Sequence, residues 1–122
     1  MKQVLSVLAS IGICLSLGAS PCTFTVKRHE RHTTTAQKKE AYRRAGIAWE
    51  KRACCVVDHV IPLELGGLDD VSNMQIQAKE EGHAKDLVEN FLARCVCHGQ
   101  TPLVLAQKAV VSWRSVTVGT CP

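Results

Sequence analysis

Cys55-Val56-Val57-Asp58-His59-Val60-Ile61-Pro62-Leu63-Glu64-Leu65-Gly66-Gly67, continued by Leu68-Asp69-Asp70-Val71-Ser72-Asn73-Met74-Gln75-Ile76-Gln77, is the stretch that decides the fold. Cys55 to Ile61 is β-branched and reads as a strand, stopped by Pro62, which has no amide hydrogen to donate. Gly66-Gly67 allows backbone angles that other residues resist, so Leu63 to Ser72 reads as a loop. Around Met74 to Gln77 a short second strand is expected to pair back onto the first. A helix then runs from about His83 to Arg94, with Leu87, Val88, Phe91, Leu92 and Cys95 on one face. His83, one turn before Leu87, is expected to face inward.

Working outward, Thr33-Thr34-Thr35 offers capping hydroxyls to a helix from Ala36 to about Ala45, which Gly46 ends. On the other side Thr101-Pro102 opens a helix to about Trp113, expected to close the core with Leu105, Ala109 and Trp113. Cys22 to Val26 reads as a short extended entry. The chain has 122 residues and no internal repeat, enough for one small α+β domain.

The first twenty residues read as an address. Lys2 precedes an almost uncharged apolar run from Val4 to Leu17, and small residues follow at Gly18-Ala19-Ser20. The run falls short of the ~20 apolar residues that span a bilayer, so residues 1–20 read as a cleavable signal peptide. The expected product is secreted or periplasmic, with no membrane association after cleavage. Export turns Cys22, Cys54, Cys55, Cys95, Cys97 and Cys121 into a candidate disulfide framework. A bond between the neighbours Cys54 and Cys55 is expected to be badly strained. At least one bond is therefore expected to join the Cys54/Cys55 pair to the Cys95/Cys97 pair. No C-x-x-C knuckle is present to favour structural zinc.

Charge divides the chain. Lys27 to Arg52 holds nine Lys/Arg and three Glu, whereas Ala53 to the end holds five Lys/Arg and eight Asp/Glu. Residues 21–52 thus read as a basic arm and helix ahead of an acidic core at 53–122. The arm, with Arg43 and Arg44, is expected to grip phosphates without reading bases.

The acidic core carries the reactive side chains. Asp58 and His59 are adjacent, Asn73 follows fourteen positions after His59, and His83 comes ten later. These types suit hydrolysis of a phosphodiester with one divalent metal ion. Asp58 and His83 would ligate the metal and His59 would take the proton from water. The Asn73 amide carbonyl would accept from the His59 ring and so orient it, and Lys85 would neutralise the substrate phosphate. Adjacent strand residues point to opposite faces, so Asp58 and His59 share a site only if the strand bends or ends there.

The run Asp58-His59-x-Ile61-Pro62-Leu63-Glu64-Leu65-Gly66-Gly67, with Asn73 at its distance, resembles the HNH endonucleases of the ββα-metal class. The likeness to exported and phage-associated members continues through Gln77, Lys85-Asp86, Glu89, Val96-Cys97-His98-Gly99, Leu103, Ala106-Gln107 and Trp113. It implies a disulfide-braced ββα-metal core with flanking N- and C-terminal helices, and metal-dependent DNA cleavage leaving 5′ phosphates. His83 lies slightly farther from Asn73 than the last ligand does in many such proteins, which leaves Glu80 or Glu81 as alternatives. The expected cofactor is one divalent ion, Mg²⁺ by availability, with Mn²⁺, Zn²⁺ and Ni²⁺ equally suited by ligand type. DNA is the expected partner, with RNA open, and the protein is expected to act as a monomer. The alternative is a secreted cysteine-rich binding protein that keeps the scaffold without activity.

Overall fold

The computed structural model describes residues 21–122; the expected signal peptide lies outside them. The fold is a small α+β arrangement around a two-stranded antiparallel sheet. Helix α1 (Thr35–Arg44) starts where Thr34 accepts from the Gln37 amide while the Gln37 side chain accepts from the Thr34 amide, a reciprocal cap. A 3₁₀ segment (Trp49–Cys54) leads into β1 (Cys55–His59). Strand β2 (Met74–Ala78) returns beside it, Asp58 opposite Gln75 and His59 opposite Met74. Helix α2 (Lys79–Cys97) follows directly, and α3 (Leu103–Val111) packs against it.

β1 ends two residues earlier than its β-branched run suggests, because Val60 and Ile61 are drawn into bonds with Asn73. The core lies between α2, α3 and the Leu63–Leu65 turn, built on Leu65, Val88, Phe91, Leu92, Cys95, Val96, Ala106 and Val110. Two helix faces are rotated from expectation. On α2, Leu87 and His83 are exposed, while Gly82, Lys85, Val88 and Glu89 take the buried positions. The helix begins at Lys79, four residues early, because β2 runs straight into it. On α3, Leu105 is exposed; Ala106 and Val110 are buried, with Ala109 and Trp113 packed partly against them. Thr101 caps no helix but donates to the Pro122 carbonyl at 2.8 Å.

The cysteines pair as Cys22–Cys97, Cys54–Cys55 and Cys95–Cys121. This overturns the expected link between the Cys54/Cys55 pair and α2. Cys95 faces the core beside the C-terminal segment, whereas Cys97, two residues on, meets the entry segment, whose Thr23 and Phe24 amides also donate to the Cys97 carbonyl. Cys54 and Cys55 are left with each other where the 3₁₀ segment joins β1. Three such pairs fit an oxidising, extracellular-type setting. No helix among the described residues is long and apolar enough to cross a membrane.

Candidate active site

Val56, Val57, Asp58 and His59 all line one cavity of about 410 Å³, facing His83 and Asp86 of α2. Successive strand side chains alternate between faces, so a cavity touched by four in a row runs along the edge of β1 that β2 does not pair. β1 ends at His59, with a bend directly after it, which meets the condition for Asp58 and His59 to share the cavity. Each is anchored on its own face of the sheet and both reach the same edge.

On the α2 face the Asp58 carboxylate receives the Gln75 amide at 2.9 Å and the Lys85 ammonium at 2.8 Å, both through Oδ2. Lys85 is fully buried; its ammonium also donates to the His59 carbonyl at 2.7 Å and pairs with Glu89 one turn on. The expected phosphate-binding role for Lys85 is therefore corrected. Burial withdraws it from any substrate, and its three hydrogens are used to hold Asp58, Glu89 and the end of β1 together. Arg31 and Lys79 are the cations that line the cavity.

On the other face His59 is buried, with Nε2 2.8 Å from Asp69 Oδ1. Asp69 also accepts from the Thr33 hydroxyl at 2.7 Å and from the His32 amide. Burial alone would raise the Asp69 pKa, but donation from Thr33, His59 and His32 outweighs it and brings the value down to about 2. An ionised carboxylate only accepts. The neutral His59 ring consequently carries its proton on Nε2 and keeps Nδ1 as the basic atom.

Asn73 does not orient that ring, contrary to expectation. Its Oδ1 accepts from the Ile61 amide at 3.0 Å, and its Nδ2 donates to the carbonyls of Ile61 at 2.8 Å and Leu68 at 2.9 Å. Its backbone carbonyl accepts from Val60 at 2.7 Å. Asn73 thus staples both ends of the loop after β1, and the staple needs glycine beside it. A Cβ on Gly67 would lie 1.8 Å from the Ile61 oxygen and 2.9 Å from Asn73 Nδ2, while Gly66 has φ of 81°. Closing the loop in this way delivers Asp69 to His59. Asp69 is the residue that sequence reasoning missed; the Asp69-Asp70 pair before Asn73 was the available signal, but only the closed loop tells which residue it meets.

Glu89 is a second such residue. It lines the same cavity, and burial pushes its pKa up to about 7 despite the lowering effect of Lys85. The i, i+4 spacing of Lys85 and Glu89 was visible, but not that both turn inward. Glu64, in the loop after β1, accepts no hydrogen bond among the described residues, and burial raises its pKa.

No protein-family model, curated protein or solved structure matches the chain. The assignment of chemistry rests on the residues themselves.

Of the side chains able to ligate a metal, Asp58, His59, His83, Asp86 and Glu89 line the cavity, and the expected pair Asp58 and His83 is among them. Among the described residues no group of three or more His, Cys, Asp or Glu side chains is placed to hold an ion. Asp58 Oδ1 is the oxygen left over from the contacts to Lys85 and Gln75. Of the alternatives to His83, Glu81 pairs with Arg114 instead, and neither Glu80 nor Glu81 lines the cavity.

Arg43 and Arg44 lie away from this cleft. Both are tied to Glu40, at 2.7 and 2.9 Å, and their donation holds the Glu40 carboxyl at about 2.

Proposed function

We propose that this protein is a metal-dependent endonuclease that hydrolyses DNA phosphodiesters with low sequence specificity, on a ββα-metal (HNH) core. The observation that carries the reading is the meeting of Asp58, His59 and His83 along one edge of β1, with the His59 ring held by an ionised Asp69. That carboxylate fixes the imidazole tautomer and stabilises the cation formed when His59 takes a proton from the attacking water. Asp58 and His83 would hold the divalent ion, Mg²⁺ by availability, which when bound supplies charge stabilisation at the phosphate and leaving oxygen. Lys85 holds the Asp58 carboxylate in place and fixes the backbone at His59. Arg31 and Lys79 meet the phosphate. Asn73 acts through the loop, by presenting Asp69.

One observation favours the inactive binding protein as the second reading. Half of the Asp58 carboxylate is already committed to Lys85 and Gln75. Plasmid nicking with Mg²⁺ or Mn²⁺, with and without chelator, separates the two. The nuclease is expected to nick only with metal, and His59→Ala to slow it by about 10²–10⁴-fold. Nicking that ignores chelator, or a His59→Ala variant as active as the parent, overturns the proposal. No nicking with either ion supports the binding protein.

A further inference from the structure

A second cavity, of about 770 Å³, adjoins the first on the α1 side of β1, and Arg31 and His59 line both. Its volume lies in the range of pockets that enclose a small organic ligand. Arg31, Lys38 and Arg52 line it, and no carboxylate does. None of these three cations makes an ion pair among the described residues, unlike Arg43 and Arg44. All three are exposed. Unneutralised positive charge around a concave wall concentrates anions there.

The wall also carries an aromatic stack. Trp49 is half-buried and braced edge-on by Tyr42, ring centroids 5.5 Å apart at 85°. The Arg52 guanidinium lies over the indole at 4.7 Å and is steadied by donating to the Trp49 carbonyl at 3.1 Å. Tyr42 is fixed in turn, its hydroxyl donating toward the carbonyls of Arg52 at 3.0 Å and Cys55 at 3.1 Å. An indole and a guanidinium already stacked form a platform that a nucleobase extends at little ordering cost.

Resting on the endonuclease reading, we propose that this second cavity is a subsite for an unpaired nucleotide of a single DNA strand, next to the phosphate held at His59. The base joins the Trp49–Arg52 stack, and its phosphate meets Arg31 and Lys38. A base reaches such a wall only when unstacked from its own neighbours. Duplex DNA keeps its bases inside and offers the cleft phosphates alone. The stack grips any base by its face, which agrees with low sequence specificity.

The test is binding in chelator, without cleavage, read by anisotropy of three labelled probes on the oxidised protein. The probes are a twelve-residue oligothymidylate, an abasic strand of the same length and charge, and a twelve-base-pair duplex. The oligothymidylate is expected to bind about tenfold more tightly than the abasic strand, the scale of one stacked base. Trp49→Leu should abolish that preference, and Arg31→Ala should weaken both strands alike. Equal affinity for the base-bearing and abasic strands of the parent protein, or a duplex bound more tightly than the single strand, overturns the subsite. The parent comparison stands even if Trp49→Leu fails to fold. Preference without nicking would sink the catalytic reading alone; nicking without preference would sink the subsite alone.

Discussion

The two faces of β1 hold neighbouring residues by opposite means. On the α2 face, a buried cation, Lys85, gathers two carboxylates, Asp58 and Glu89. On the other face, a buried carboxylate, Asp69, gathers an imidazole, a hydroxyl and an amide. The first face sets two carboxyl groups against one cation, and there burial, with a smaller contribution from the nearby Asp58 charge, raises the Glu89 pKa despite Lys85. The second is satisfied by donors, so Asp69 stays ionised down to about pH 2. Asp58 is positioned by a cation and His59 by an anion. One strand edge thereby presents both chemistries side by side.

The largest effect should come from removing the cation. Lys85→Met leaves Asp58 and Glu89 facing each other in a buried site, and breaking such a pair costs about 3–5 kcal/mol. Urea denaturation at pH 7.5 checks this. A loss below about 1 kcal/mol would mean that Lys85 is not the strut of that face.

The opposite face is probed by Asp69→Asn, which keeps shape and removes charge. The amide can present its NH₂ to His59 and invert the tautomer, so the nicking rate should fall on the order of a hundredfold, with a small change in stability. An equal fall for Asn73→Asp, which disturbs the loop staple but keeps the Asp69 carboxylate itself, would assign the effect to loop closure and not to the charge at the ring.

Much of this was legible in the sequence, and the limits have physical causes. The β-branched run, Pro62 and the glycine pair located strand, loop and strand, because these residues act through local backbone preference. Asp58, His59 and His83 were legible as one constellation, and all three line one cavity. What failed depended on which way a helix turns and on how a loop closes. Lys85 looked like a solvent-facing cation because lysine usually is. Its burial follows from two carboxylates that come from different elements. Asn73 looked like an orienter of His59, yet its amide serves backbone groups at Ile61 and Leu68. The disulfides failed for a similar reason: adjacency argued against a Cys54–Cys55 bond, whereas the fold leaves those two no other partner within reach.

The smallest effect separates the faces by pH. Burial raises the Glu89 pKa from its usual 4.5 to about 7, so the folded state holds a proton there that the unfolded chain has released. A carboxyl raised in this way contributes stability that is complete below about pH 4.5 and is lost as pH rises through about 7. Asp69 has the opposite sign, but its contribution fades only as pH falls below its usual 3.8 toward about 2. Between pH 5 and 8 Glu64, also raised by burial, acts in the same direction as Glu89, so the Glu89 part is isolated by comparison with Glu89→Gln. The protein should lose on the order of 2 kcal/mol across that interval, and Glu89→Gln should flatten the dependence, read from urea midpoints at constant ionic strength. If the variant keeps the slope of the parent, Glu89 is ionised alongside Asp58 at neutral pH. Lys85 would then be balancing two full charges, and the contrast between the two faces of β1 would narrow to one of geometry.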